Sequence, residues 1–179
     1  LARAGSQCRR PCPRRFQPKE MDDGDIATVK DSFREAVHRS VDAGFEMVEL
    51  HGAHGYLLHQ FLSPLSNLRT DAYGGDIEGR MRFPLEVAEA AREALPDNLP
   101  LSYRISVVDG EGGQWGFSDS LHFAKALEER GVDIIDVSSG GIFGDSDLPH
   151  VPRVQGYHVD FTERFKREIN AMVMVVGLI

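Results

Sequence analysis

The chain has 179 residues, enough for one domain with a substantial core, and its 41% hydrophobic and 27% charged residues are ordinary for a globular protein. No apolar run approaches the roughly 20 residues that span a membrane, and the net charge of −8 argues against a nucleic-acid-binding surface. We therefore expect neither a membrane nor a nucleic-acid partner.

The first 20 residues differ from the rest, because six of their seven charged residues are basic. They contain Cys8 and Cys12, the two cysteines of the chain, and such a pair without a third thiol or a nearby histidine is a poor metal site. The segment also lacks the apolar core of a signal peptide. We expect a solvated loop over residues 1–24, no bound metal, and a reducing, cytoplasmic compartment.

Hydrophobic periodicity over residues 25–179 predicts helices and strands in alternation. The helices are predicted at 25–43, 79–95, 118–131 and 160–169, and the strands at 45–50, 101–107, 132–139 and 172–179. Gly44 and Gly131 are expected to end the first and third helices. Pro84 is expected in the first turn of the second helix, and Ser118 is expected to cap the third.

This alternation is typical of a parallel sheet covered by helices. Polar and glycine-rich segments follow the strands, as in a (β/α)8 barrel, where the loops after the strands build the active site. A complete barrel has eight strands and about 250 residues, whereas four strands are predicted here. The predicted fold class is therefore α/β, a partial (β/α)8 TIM barrel, with residues 25–179 forming half of a barrel from a longer protein. Its two open sheet edges favour aggregation or a homo-oligomer.

The segment HGAHGY, residues 51–56, places two imidazoles and a phenol at the end of the first predicted strand. Three interpretations are open. The side chains are satisfied polar groups of a tight loop, or they belong to a zinc site whose third ligand stands at no recognisable spacing, or they polarise a substrate. In the third case, two imidazole N–H groups stabilise negative charge on one substrate oxygen and the phenol donates a proton.

Arg104 is predicted to point to the inner side of the barrel, because Tyr103 and Ile105 on either side of it suit the helix-covered side. A buried guanidinium must be paired or must face an anion. Arg104 therefore forms an ion pair with Glu49 or Asp136 on the neighbouring strands, or it supplies a fixed positive charge to an anionic ligand.

Several longer motifs resemble those of one family. The run AGFEMVELHGAHGYLLHQFLSPLSNLRTDAYGG, residues 43–75, closely resembles the old yellow enzyme family of FMN-dependent ene-reductases, in its bacterial branch with a His-x-x-His pair. The resemblance continues through RMRFPLEV, YRIS, GVDIIDVSSGG, GYHVDFTERFKREI and VVGLI. It covers nearly all of residues 25–179 and implies roughly barrel strands 4 to 7 of the family fold.

The resemblance implies roles on the substrate side of the site. His51 and His54, with Gly52 and Ala53 between them, resemble the segment that binds the oxygen of an activated alkene. Tyr56 resembles the residue that protonates the α-carbon of that alkene. The implied substrate is a small electrophilic alkene, such as an enone or a nitroalkene.

The same resemblance implies FMN as the cofactor and NAD(P)H as the co-substrate. Arg104 resembles the residue beside flavin N1 and O2, and Gly177 belongs to the segment that leads into the family's phosphate site. In the implied reaction, NAD(P)H reduces FMN, which then passes hydride to the β-carbon of the alkene.

The chain also departs from the family pattern. Arg3, Ser6 and Gly79 stand where relatives usually have His, Arg and Asn, and the family's flavin contacts from its first three strands precede Leu1. We therefore expect this chain to hold one wall of the flavin site. Two alternatives are open: a relative with an added iron–sulfur cluster, such as a 2,4-dienoyl-CoA reductase, and a truncated barrel that binds no flavin.

Overall fold

The computed structural model describes residues 19–110, 113–143 and 154–179, so Cys8 and Cys12 lie outside the described residues. The strands of the described part are β1 (Val48–Gly52), β2 (Leu101–Ser106), β3 (Ile134–Ser138) and β4 (Met172–Val175). The helices are α1 (Asp23–Asp42), α2 (Leu57–Leu62), α3 (Ile77–Ala94), α4 (Phe117–Glu128) and α5 (Val159–Lys166). Within these ranges, every helix is too short or too polar to cross a membrane.

All four strands are parallel and lie side by side in the order β1-β2-β3-β4, which confirms the predicted α/β architecture. The connections between consecutive strands are helical, as a parallel sheet requires. Among the described residues, β1 and β4 each pair with one neighbour, so both edges of the sheet are open. The carboxyl ends of all four strands lie at one edge of the layer, where the following loops can meet.

Side chains alternate between the two faces of the sheet. One face packs under the helices through apolar rows such as Leu50, Tyr103 and Ile135, which are in register on β1, β2 and β3. Tyr103 is fully buried, and its ring meets the ring of Phe123 from α4 edge-on, with 5.4 Å between centroids. Gly52 is required beside it, because a Cβ at this position would lie 2.2 Å from the Tyr103 ring.

Two details of the helices differ from prediction. The backbone N–H of Gly116 donates to the Asp119 carboxylate at 3.0 Å, so Gly116 caps α4 and Ser118 lies in the first turn. The prediction of Ser118 as the cap was therefore wrong. Pro84 lies inside α3 and not in its first turn, because the helix already begins after the Asp76 cap. Burial of the apolar face of α3 compensates for the backbone hydrogen bond that Pro84 cannot make.

The short helix α2 was not predicted, because six residues carry too little periodicity to be recognised. It begins directly after Tyr56 and converts the end of β1 into a compact turn. The loop that follows is anchored by Asn67, whose side-chain amide donates to the carbonyls of Phe61 at 2.7 Å and Tyr73 at 2.8 Å. This helix and loop directly follow the turn that carries His54 and Tyr56, and the helix packs against that turn.

Candidate active site

His51 and Arg104 lie on the sheet face that is not covered by helices, and His54 and Tyr56 lie in the turn after β1. His51, Arg104, Asp136 and Met174 are in register across the four strands. His51 is exposed and Arg104 is half-buried, whereas Asp136 is buried. The row therefore places an imidazole, a guanidinium and a carboxylate side by side on a face that a ligand can reach.

Arg104 forms an ion pair with Asp136, whose Oδ2 lies 3.3 Å from the guanidinium Nε. Glu49, the other partner considered from the sequence, instead accepts a hydrogen bond from Ser102 Oγ at 2.8 Å. The Nε contact lacks hydrogen-bond geometry, so the guanidinium keeps donor capacity for an anion. Burial raises the pKa of Asp136 to about 6, against the opposing effect of Arg104.

The structure brings His51, His54 and Tyr56 together. The ring centroid of His51 lies 5.1 Å from that of His54 and 5.0 Å from that of Tyr56. The Tyr56 side chain is 61% exposed, so its hydroxyl is accessible to a small molecule. In the described part of the chain, no group of three or more His, Cys, Asp or Glu could hold a metal ion. The three rings together can bind a polar atom and deliver a proton beside it.

His54 occupies the left-handed backbone region, with φ of 59°, and several contacts hold it there. Its backbone N–H donates to Ser106 Oγ at 3.0 Å, and its Nε2 lies 2.5 Å from Ser138 Oγ. The backbone of Gly141 packs directly against it, because a Cβ on Gly141 would lie 2.0 Å from the His54 carbonyl carbon. Residues at the ends of β2 and β3 thus fix a residue in the turn after β1.

Both imidazoles of the pair are neutral near neutral pH. Burial, helped by the charge of Arg104, lowers the pKa of His54 to about 4. Partial desolvation of the His51 ring, together with the charge of Arg104, also lowers the pKa of His51. A neutral imidazole has one N–H donor and one acceptor nitrogen, so each ring can donate one hydrogen bond to a ligand oxygen. When the Ser138 hydroxyl donates to His54 Nε2, the His54 proton is on Nδ1.

The other predicted binding residues, Gly52, Ala53 and Gly177, present less side chain to a ligand than the two histidines and the tyrosine of the turn. Gly52 and Ala53, which stand between the two histidines in the sequence, are both buried, and Gly52 faces Tyr103 on the helix-covered side. Gly177 follows β4 with φ of 97°, and a Cβ there would lie 2.5 Å from the Tyr157 hydroxyl. The binding roles of these three glycine and alanine positions stay predictions.

The sequence interpretation missed a buried polar network behind the turn. His59 on α2 lies with Nε2 2.9 Å from Asp109 Oδ1, and both side chains are fully buried. Ser63 Oγ donates to the other Asp109 oxygen, Oδ2, at 2.5 Å. The signal was a histidine inside the apolar run LLHQFL, because a buried imidazole requires a polar partner.

The chain is similar to known proteins in sequence and in structure. Residues 3–179 match the family described as NADH:flavin oxidoreductase / NADH oxidase. The chain belongs to this family. Its members use FMN with NADH or NADPH, which confirms the predicted cofactors at the level of the family. The predicted old yellow enzyme resemblance is confirmed as well.

A curated relative, the NADPH dehydrogenase of Geobacillus sp. (strain WCH70), is 45% identical over 163 residues, which are 90% of this chain and 46% of the relative. The chain therefore spans about half the length of the curated relatives it matches first. Morphinone reductase in complex with tetrahydroNAD has a TM-score of 0.72 and 27% identity, over 90% of this chain and 41% of that one. A 2-naphthoyl-CoA reductase complex has a TM-score of 0.81 and 26% identity, over 92% and 25%. These similarities confirm the predicted partial barrel.

The residues present fit one edge of a flavin. Arg104 offers a half-buried guanidinium with unused donors on the inner face, which suits an electron-rich ring edge. Gly141 packs its backbone against the His54–Gly55 peptide, so the loop after β3 holds the imidazole pair in place beside this face. Arg104 is in register with His51 on the neighbouring strand, so one ligand surface can meet both side chains.

Proposed function

We propose that this chain forms half of an FMN-dependent oxidoreductase that reduces C=C bonds conjugated to an electron-withdrawing group, with NADPH or NADH as the hydride source. The observation that carries the proposal is the cluster of His51, His54 and Tyr56 beside Arg104 on the open face of the sheet. Enones and nitroalkenes fit this cluster, because they combine an acceptor oxygen with a carbon that must receive a proton.

FMN, when bound, supplies the hydride that reaches the β-carbon of the alkene. The neutral His51 and His54 rings each donate a hydrogen bond to the carbonyl or nitro oxygen, which stabilises the negative charge that develops there. Tyr56 donates a proton from its hydroxyl to the α-carbon, and its exposure lets water replace that proton. Arg104 would hold the electron-rich edge of a bound flavin ring through its positive charge.

The test is a chimera in which the 163 matched residues of the Geobacillus NADPH dehydrogenase are replaced by the corresponding residues of this chain. We expect the purified chimera to show the visible absorbance of bound flavin and to oxidise NADPH when 2-cyclohexenone is added. The variant Arg104→Ala should lose flavin. The matched control is Arg82→Ala, because Arg82 Nε donates to the Ala72 carbonyl at 2.8 Å on the exposed surface.

The outcomes separate the parts of the proposal. A folded chimera without flavin would contradict the cofactor assignment and would support a barrel that binds no flavin. A flavin-loaded chimera that reduces neither enones nor nitroalkenes would contradict the substrate class. If Arg104→Ala retains flavin, the cofactor-binding role of Arg104 is contradicted, but the proposed reaction is not.

One observation favours a second candidate, the reduction of an unsaturated acyl-CoA by a longer, multi-cofactor protein. The structure with a TM-score of 0.81 is a 2-naphthoyl-CoA reductase, of which this chain covers 25%. The same chimera discriminates the two candidates when crotonyl-CoA and 2-cyclohexenone are compared as substrates. A preference for the thioester would favour the acyl-CoA reductase, and iron with acid-labile sulfide in the natural full-length protein would strengthen it.

A further inference from the structure

The turn that carries His54 and Tyr56 is stabilised from behind by the imidazole of His59. The backbone N–H of Gly55 donates to His59 Nδ1 at 2.9 Å. Tyr56 is the N-cap residue that directly precedes α2, and its side chain makes no capping hydrogen bond. His59 therefore acts at the third helical position as Glu or Gln does in a capping box, by reaching back to the residues before the helix.

This hydrogen bond requires one particular tautomer of His59. Because Nδ1 accepts the Gly55 N–H, the imidazole proton must be on Nε2. Nε2 lies 2.9 Å from Asp109 Oδ1, and among the described residues neither of these two fully buried atoms has another hydrogen-bond partner. A carboxylate oxygen can accept but not donate, so Asp109 selects the Nε2–H tautomer.

The second oxygen of Asp109 is also committed. Oδ2 accepts from Ser63 Oγ at 2.5 Å and from the Trp115 backbone N–H at 3.2 Å. The carboxylate thus joins α2, the residue after α2, and the loop after β2 in one buried network. The catalytic proposal for the turn makes no use of this network.

We infer that Asp109 is a positioning residue, which fixes the His59 tautomer that accepts the Gly55 N–H and thereby holds the turn that presents His54 and Tyr56. The inference rests on the proposed function, because only that proposal gives the turn a catalytic role. Its physical content, however, concerns a tautomer and one backbone hydrogen bond, and both can be measured without flavin or substrate.

The substitution Asp109→Asn should reverse the tautomer. Ser63 and Trp115 both donate, so the amide oxygen of the introduced side chain should take the Oδ2 position and its NH2 group should face His59 Nε2. The His59 proton then moves to Nδ1, where it faces the Gly55 N–H, and two donors cannot form a hydrogen bond. The variant is nearly isosteric and still loses the bond that fixes the turn.

The experiment is NMR on the chain labelled with nitrogen-15. In the wild-type chain, we expect the His59 ring shifts of the Nε2–H tautomer, and an Nδ1–H or doubly protonated ring would overturn the inference without any variant. In Asp109→Asn, we expect the Nδ1–H tautomer, about fivefold faster exchange of the Gly55 amide, and shifted His54 and Tyr56 amides.

Two further variants separate positioning from general support. Ser63→Ala removes one hydrogen bond from the same carboxylate but leaves Oδ1 facing His59, so the tautomer and the Gly55 exchange rate should stay those of the wild type. Equal changes in Ser63→Ala and Asp109→Asn would overturn the inference. His59→Asn offers an amide oxygen near the Nδ1 position, so it should restore slow Gly55 exchange in the Asp109→Asn background.

Failure of this inference and failure of the proposed function remain distinguishable. The tautomer and the exchange rate are read in the isolated chain, whereas flavin content and alkene reduction are read in the chimera. A correct tautomer switch in a chain whose chimera binds no flavin would retain the positioning network and reject the enzyme proposal.

Discussion

Arg104 and Asp136 face each other on β2 and β3, with the guanidinium Nε 3.3 Å from the carboxylate Oδ2. The neighbouring positive charge favours the ionised carboxylate, yet the pKa of Asp136 is raised from 3.8 to about 6. Burial is the larger effect, because the Asp136 side chain is almost completely removed from solvent. The charged form of this carboxylate is therefore costly to bury, although Asp136 is still mostly ionised at pH 7.

The first prediction concerns the pH dependence of Asp136. Its folded-state pKa lies above the unfolded value of 3.8, so its contribution to stability is fully present below pH 3.8 and is lost as the pH rises through about 6. Asp136→Asn removes this loss. We expect the variant to gain about 2 kcal/mol relative to wild type between pH 4 and pH 7, measured by urea unfolding. A difference that does not change with pH would contradict the prediction.

The second prediction concerns His54 and has the opposite sign. Its folded-state pKa of about 4 lies below the unfolded value of 6.5, so its contribution to stability is present above pH 6.5 and is lost as the pH falls towards 4. We expect an NMR titration of the His54 ring to show a midpoint near 4, and a midpoint near 6.5 would contradict this. His54→Asn should lessen the loss of stability in acid, since asparagine also tolerates the positive φ.

Hydrophobic periodicity was sufficient to predict most of the helices and strands. The four strands and the longer helices were predictable because each buries one face or stripe of apolar residues. The turn at His54 was only partly predictable, since its positive φ is held by Ser106 at the end of β2 and by Gly141 in the loop after β3. No local pattern of residues 51–56 contains these contacts. The partner of Arg104 was likewise undecided until the strand register placed Asp136 opposite it.

The third prediction tests the contact between Gly141 and the His54–Gly55 peptide. A Cβ on Gly141 would lie 2.0 Å from the His54 carbonyl carbon, and the φ of Gly141 is 107°. Gly141→Ala should therefore cost about 3 kcal/mol or more of unfolding free energy and should shift the His54 and Tyr56 amides in NMR spectra.

Gly75→Ala is the matched control for this substitution. Gly75 also has a positive φ, 76°, but a Cβ there meets no atom within 4 Å. It should cost about 1 kcal/mol, from backbone strain alone, and should leave the His54 and Tyr56 amides unchanged. Equal costs for the two variants would show that the two loop backbones do not constrain each other.

The fourth prediction concerns Tyr56→Phe in the flavin-loaded chimera. Removal of the hydroxyl deletes the proposed proton donor but retains the ring that lies 5.0 Å from His51. We expect oxidation of the reduced flavin by 2-cyclohexenone to slow by about 10²- to 10⁴-fold, while reduction by NADPH is unchanged. Stopped-flow absorbance of the flavin measures the two half-reactions separately.

Tyr73→Phe is the control for that substitution, because the Tyr73 hydroxyl donates to Glu86 at 3.3 Å, on the helix-covered side of the protein. It should leave both half-reactions unchanged. Slowing of both half-reactions in Tyr56→Phe would indicate a disturbed flavin site and would argue against proton donation. Raising the pH should not restore the rate of enone reduction in Tyr56→Phe, because the missing group is a proton donor. A nitroalkene whose reduced anion is stable without protonation should be reduced by Tyr56→Phe at close to the wild-type rate.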